Sequence, residues 1–219
     1  MRDALMEIRG LSKTFHASGR WTGLGAREVR AVRDVTLSIR TGETLGLVGE
    51  SGCGKSTLGR LCLALEKPTE GEVRFEGRNI FALTNPERKA FRQAVQLVFQ
   101  DPYASLNPRR TAGQTVMEPL WLHASDPGQV ADAARNVMRT VGLGEEHAQR
   151  YPHEFSGGQR QRVGIARAIA LKPKLIVADE PVSALDVSIQ AQILNLMKKL
   201  QRDFGLTYLF ITHDFSVVR

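Results

Sequence analysis

The sequence predicts an α/β fold with a mainly parallel core sheet, an N-terminal antiparallel β part and an inserted helical stretch. Three observations carry that prediction. Strand-like runs alternate with helical patterns, the arrangement of a parallel sheet. The run Thr44–Val48 is short, apolar and uninterrupted, as a buried parallel strand is. From Asp101 to Leu171 strand character lapses and helical periodicity takes over.

The elements follow in order. Residues 5–12 and 32–39 have partial period-two patterning and read as strands. Between them, His16–Arg30 is rich in Gly, Ser and Arg and reads as an exposed loop or hairpin insertion. Thr41-Gly42-Glu43 is a turn signal before Thr44–Val48, and a glycine-rich turn then opens a helix from Lys55 to Leu65. Glu72–Phe75 is a strand closed by Glu76-Gly77, and Val95–Phe99 is another. Asp101–Arg110 carries Pro102 and Pro108 and is expected to be loop. Ala112–Val141 is helical with a break near Asp126-Pro127-Gly128, and Gly158–Ala170 is helical again. Strand returns at Leu175–Ala178. Val187–Asp203 is an amphipathic helix, with Ile189, Ile193, Leu196, Met197 and Leu200 at spacings of three and four. Thr207–Ile211 is the last strand.

Composition narrows the function classes. The 219 residues accommodate one large domain or two small ones. A hydrophobic fraction of 42% and a charged fraction of 24% are ordinary for a globular chain and argue against disorder. There is no run of about 18 apolar residues, so no transmembrane helix is expected. Met1–Gly10 lacks the apolar stretch of a signal peptide. Cys53 and Cys62 are the only cysteines, too few for a disulfide framework or a four-cysteine zinc site, which fits a reducing cytosol. The net charge is +7, and the first forty residues hold eight basic against four acidic side chains. Such an excess suits nucleic acid, anionic lipid or a nucleotide, and a solvated face is the simplest reading.

Gly49-Glu50-Ser51-Gly52-Cys53-Gly54-Lys55-Ser56 fits the phosphate-loop pattern G-x-x-x-x-G-K-[ST], after an apolar strand and before a helix. The glycines let successive N–H groups aim at phosphate oxygens, and the helix points its positive end at the same place. Lys55 is expected to neutralise β- and γ-phosphate charge, Ser56 to supply a hydroxyl ligand to Mg²⁺, and Thr57 to bond the α-phosphate. Cys53 reads as a small residue tolerated in the loop.

Leu175-Ile176-Val177-Ala178-Asp179-Glu180 is four apolar residues followed by two carboxylates. A buried strand of this kind delivers Asp179 to its C-terminal end, where ligands bind in open α/β sheets. Asp179 is expected to hold Mg²⁺, and Glu180 to polarise the water that attacks the γ-phosphate. Phe155-Ser156-Gly157-Gly158-Gln159 opens the preceding helix. Ser156 is a good N-cap, and the glycines expose backbone N–H groups, so this is a second anion-binding helix start. One nucleotide does not need two cradles so far apart in sequence, and the second is expected to serve the nucleotide of another subunit.

These motifs resemble the ATP-binding cassette family of transporter ATPases over nearly the whole chain. Gly49–Thr57 looks like the Walker A motif, Leu175–Glu180 like Walker B with its catalytic glutamate, and Phe155–Gln159 like the family signature, with Phe where Leu is more usual. The resemblance implies further roles. Gln100 looks like the Q-loop glutamine that touches Mg²⁺ and the attacking water. Ser183-Ala184-Leu185-Asp186 looks like the D-loop, placing Asp186 at the nucleotide interface. His213 resembles the switch histidine of the γ-phosphate, and Phe15 sits where an adenine-stacking aromatic is expected.

A narrower resemblance is to the oligopeptide, dipeptide and nickel importer branch. Val98–Arg109, Glu50-Ser51-Gly52-Cys53 and Tyr151-Pro152-His153-Glu154 carry it, and the His16–Arg30 insertion is similar to that of one of the paired ATPases in those importers. It implies ATP and Mg²⁺ as cofactors, and a second cassette subunit, identical or different, as partner. It also implies two transmembrane permease subunits, a solute-binding protein acting indirectly, no nucleic acid, and a place at the cytoplasmic face of the membrane. The whole chain is expected to be one cassette domain, with about 1–100 and 172–219 forming the nucleotide-binding core and β part and about 101–171 the helical signature part. Family members usually continue beyond the position of Arg219, so a C-terminal part is expected to be missing. A nucleic-acid-linked cassette and a truncated, inactive one are the alternatives.

Overall fold

In the computed structural model, residues 4–17, 27–123 and 127–214 are described. They form, in order, β1 (Ala4–Ala17), β2 (Arg27–Arg40), β3 (Thr44–Val48), α1 (Lys55–Cys62), β4 (Glu70–Phe75), β5 (Arg78–Asn79) and α2 (Asn85–Ala94). Then come β6 (Val95–Val98), α3 (Pro102–Ser105), α4 (Ala112–His123), α5 (Val130–Thr140), α6 (Gly157–Ile169), β7 (Leu175–Asp179), α7 (Val187–Phe204) and β8 (Thr207–Thr212).

Two four-stranded sheets result. The first, in the order β2-β1-β4-β5, is antiparallel. Both β1 and β2 run well past the ends expected at 5–12 and 32–39 and enter the segment expected to be an exposed insertion; residues 18–26 of that segment lie outside the described residues. Their register shifts four times, between Ala4 and Met6 and again up to Thr14. Each shift moves side chains to the other face, which is why the alternation in sequence is only partial.

The second sheet, in the order β3-β8-β7-β6, is parallel throughout. Period-two alternation divides its side chains between two cores. Leu175 and Val177 of β7, with Leu209 and Ile211 of β8, face α1 and the antiparallel sheet. Ile176 and Ala178, with Tyr208 and Phe210, face the helical layer of α4, α5, α6 and α7. β3 takes an edge and is more open than its apolar sequence suggests, with Thr44 and Gly46 exposed. The buried strands are β7 and β8.

Local chemistry explains two of the elements absent from the sequence reading. α2 begins with a capping box: Thr84 N–H donates to Glu87 Oε2 at 2.9 Å, with Pro86 in the first turn. Phe91 then anchors the helix edge-to-face on Phe75, ring centres 5.5 Å apart. The stretch expected to be loop at Asp101–Arg110 contains the single turn α3. Asp101 caps it by accepting the Tyr103 N–H at 2.7 Å, and Pro102 starts it. Arg167 of α6 ties this segment down: Nη1 donates to Ser105 O at 2.8 Å, and the guanidinium lies 5.4 Å from the Phe99 ring centre.

Candidate functional site

Because β3, β8, β7 and β6 are parallel neighbours, their C-terminal ends open on one edge of the sheet. The next residues along the chain are the Gly49–Ser56 loop after β3, His213 after β8, Asp179-Glu180 at the end of β7 and Gln100 after β6. Strand order thus gathers four motifs that sequence separates widely, as open α/β sheets do at their ligand edge. A cleft of about 790 Å³ opens there, with Glu50, Ser51, Gly52, Cys53, Gly54, Lys55, Ser56, Thr57, Gln100, Glu180 and His213 on its walls and Asp179 outside its lining, bonded to Ser56.

The loop is fixed by contact with β2. Gly54 has φ 102°, and a Cβ there would collide with the Ala31 carbonyl oxygen, so glycine is required on both counts. α1 starts on Gly54 without a side-chain cap, leaving its first-turn N–H groups directed at the cleft. The helix lies close on the sheet, since a Cβ at Gly59 would stand 2.9 Å from Ile211 Cδ1. Lys55 is 7% exposed, and its ammonium donates to Gly49 O at 2.7 Å and Glu50 O at 2.6 Å. Those carbonyls satisfy the buried cation. Cys53 is exposed in the loop. Cys62 is buried, and burial pushes its thiol up to about 12, which makes it inert.

The carboxylates carry distinct surroundings. Ser56 Oγ donates to Asp179 Oδ1 at 3.1 Å. Burial raises the Asp179 pKa, the Ser56 hydrogen bond opposes the rise, and the neighbouring Glu180 charge adds to it. Glu180 accepts the Gln100 amide N–H on Oε2 at 2.9 Å, with His213 Nδ1 3.2 Å from the same oxygen. Glu180 sits at φ 46°, a left-handed conformation rare for a side-chain-bearing residue. Its N–H donates to Ile211 O at 2.9 Å, and Ser183 Oγ donates to its carbonyl at 3.1 Å. The strain is therefore held from both sides, and it turns the carboxylate into the cleft.

An implied Mg²⁺ fits this donor set. Ser56 and Asp179 offer a hydroxyl and a carboxylate oxygen already in contact, and Gln100 carries an amide oxygen nearby. Mg²⁺ is held by oxygen, usually with only one or two protein carboxylates, the rest being water and phosphate. Among the described residues no group of three or more His, Cys, Asp or Glu side chains could hold a metal alone.

Other expected residues stand apart. Ser156 caps α6 in a reciprocal box: Gln159 N–H donates to Ser156 Oγ at 3.3 Å, and Ser156 N–H donates to Gln159 Oε1 at 3.0 Å. Neither they nor Gly157, Gly158 or Asp186 line the cleft. Ser156 and Asp186 are exposed, and Asp186 caps α7 through its backbone alone. Phe15 also lies outside the cleft lining. It pairs with Val29 across the β1–β2 ladder, 38% exposed, with Lys13 Nζ 4.8 Å above its ring. Val29, Arg30 and Ala31 of β2 form that wall instead. Sequence reasoning did not single them out, because only the packing of β2 on Gly54 brings them to the loop.

The ABC transporter family model matches residues 32–183, which contain the loop, the capped second helix start and the acidic strand. The chain belongs to the ABC transporter family. The cassette is 52% identical over its whole length to the oligopeptide transport ATP-binding proteins AppF and OppF of Bacillus subtilis, covering 67% and 70% of them. It is 52% identical to the glutathione import ATP-binding protein GsiA of Escherichia coli over 99% of this chain and 35% of that one. The chain spans 62 to 70% of the length of the peptide-transport relatives it matches. Among solved structures, the dimeric post-hydrolysis state of the ATP-binding cassette MJ0796 bound to ADP and Pi is similar. The TM-score is 0.83 at 34% identity, covering 97% of this chain and 89% of that one. No described helix is long and apolar enough to cross a membrane.

Proposed function

We propose that this chain is the ATP-binding and ATP-hydrolysing subunit of an importer for di- or oligopeptides, acting at the cytoplasmic face of a membrane beside separate permease subunits. The convergence of Lys55, Asp179, Glu180, Gln100 and His213 at one sheet edge is the observation that carries the hydrolytic part. The names of AppF, OppF and GsiA support peptide cargo and favour transport over a nucleic-acid role. Nickel is the second cargo class kept in the test.

In this reading Gly49, Glu50, Ser51, Gly52, Cys53 and Gly54 wrap the phosphates with backbone N–H groups. Lys55 exchanges its carbonyl partners for β- and γ-phosphate oxygens, and Thr57 bonds the α-phosphate. Ser56, Asp179 and Gln100 would hold Mg²⁺, which when bound would neutralise phosphate charge. Glu180 takes the proton of the attacking water, while Gln100 and His213 release its carboxylate to do so and turn to the γ-phosphate side. Phe15 stacks on the base at the outer end of the Val29 wall.

Two cassettes close head to tail. Ser156, Gly157, Gly158, Gln159 and Asp186 of one face the nucleotide held by the loop of the other, so ATP is a removable link between them. Residues 101–171 carry the motion to the permease. Replacing Glu180 with Gln is expected to leave an ATP-dependent dimer visible by light scattering, with ADP giving monomer. A chain that stays monomeric with ATP and hydrolyses at the normal rate would refute the assignment of Glu180. Uptake of labelled oligopeptide, glutathione and nickel by cells with and without the intact chain identifies the cargo.

A further inference from the structure

Behind the capped start of α6 lies a histidine that neither the sequence motifs nor the mechanism above uses. His147 follows α5 in a short 3-10 turn, Glu145–His147, and its side chain is 15% exposed. Nδ1 accepts the Gly144 N–H at 3.0 Å and lies 3.1 Å from Glu146 Oε1. The ring stacks on buried Phe155, centres 5.8 Å apart and planes 27° from parallel. Its far nitrogen, Nε2, lies 3.5 Å from Gln159 Nε2. Gln159 is the residue whose Oε1 accepts the Ser156 N–H and whose own N–H rests on Ser156 Oγ.

We propose that His147 is a positioning residue for the Ser156–Gln159 turn, acting through the Gln159 amide and the Phe155 ring. The Ser156–Gln159 box is two hydrogen bonds on an exposed turn, each of small net strength in competition with water. Gln159 can serve that box only if its flexible side chain stays folded back over Ser156. The imidazole blocks the other side of the amide and presses the Phe155 ring, so Gln159 keeps one rotamer. That fixes where the Ser156 hydroxyl and the Gly157 and Gly158 N–H groups point. In the proposed sandwich those groups meet the partner's nucleotide, and to that extent the inference rests on the functional reading.

Three variants of the full chain separate the contacts. His147→Asn retains an acceptor where Nδ1 meets Gly144 but lacks the outer half of the ring. His147→Phe keeps the ring on Phe155 without polar atoms. His147→Gln places an amide where Nε2 was, its oxygen able to accept from the Gln159 side-chain NH2. In the Glu180→Gln background, His147→Asn is expected to weaken ATP-dependent dimerisation about tenfold, and His147→Phe by less. His147→Gln is expected to stay within about threefold of the parent. The ATP affinity of the monomer is expected to be unchanged in all three, with melting temperatures a few degrees below the parent.

Dimerisation of His147→Asn at the parental affinity would overturn the proposal, as would equal loss in Asn and Gln variants. Hydrogen exchange in the monomer gives a reading that does not depend on the sandwich. The Gln159 amide is expected to exchange faster in His147→Asn, and an unchanged rate would overturn the role of His147. Absence of any ATP-dependent dimer in the parent would instead refute the functional reading while the exchange result still decides this one.

Discussion

The chain has two helix starts built to face an anion, and they are made in opposite ways. At the first, α1 begins on Gly54 with no side-chain cap, and four strand ends bring charged and polar groups around it. At the second, α6 begins on Ser156 with a complete capping box, and no residue of the cleft lines it. The first start leaves its N–H groups for a ligand and cannot tolerate a side chain at Gly54. The second ties up the Ser156 and Gln159 N–H groups in its own box and leaves those of Gly157 and Gly158 outside it. On the proposed function, the first start is one furnished half of a site and the second a bare half. That is the economical form for a pocket completed by a second copy.

Glu180→Gln sharpens the comparison most strongly. Loss of the general base is expected to lower hydrolysis by about 10²–10³-fold with ATP binding kept, measured as phosphate release against nucleotide titration. Gly54→Ala is expected to destabilise the chain by about 2–4 kcal/mol in urea unfolding, since a Cβ there meets backbone and φ is positive. Gly157→Ala is expected to cost less than about 1 kcal/mol, because its Cβ would meet only the end of Leu185, Cδ2 at 3.2 Å. Equal costs would break the contrast between a rigid first cradle and a self-capped second. Ser156→Ala is expected to lose about 1 kcal/mol of stability with the cap while leaving the ATP affinity of the monomer unchanged.

The smallest expected effect is on pH dependence. Burial raises the Asp179 pKa above its unfolded value, so the folded chain holds that proton more tightly. This favours folding below the unfolded pKa and is lost as pH rises through the folded one. Asp179→Asn removes the ionisation. Its melting temperature relative to the parent is therefore expected to be higher at neutral pH than in acid. A difference independent of pH would mean that Asp179 is not strained by burial.

The sequence reading and the fold agree where chemistry is local. The glycine loop, the acidic strand and the Ser156 cap each announce themselves within a few residues, because their geometry is set by neighbours in the chain. α2 was equally local, with Thr84, Pro86 and Glu87 writing its start, but Phe91 is its one large apolar side chain, too little to mark a buried face. The junction of Gln100 with Glu180 is different. It depends on β6 lying beside β7, a pairing of residues 80 positions apart that no window of sequence encodes. The Val29–Ala31 wall and the edge position of β3 belong to the same class. Register shifts in β1 and β2 obscured the long hairpin, since bulges erase the alternation by which strands are recognised.

The central claim is that a furnished loop on one chain works with a bare cradle on another. Mixing two inactive variants tests it most directly. Lys55→Ala disables the loop and leaves the cradle intact. Gly157→Asp puts a negative charge into the cradle and leaves the loop intact. Each alone is expected to lack ATPase activity. In a mixed dimer, one of the two composite sites combines the intact loop of one chain with the intact cradle of the other, so activity is expected to return on mixing and to rise with the fraction of heterodimer. A mixture that stays inactive while heterodimer forms in the presence of ATP would contradict the account, because loop and cradle would then have to act within the same chain.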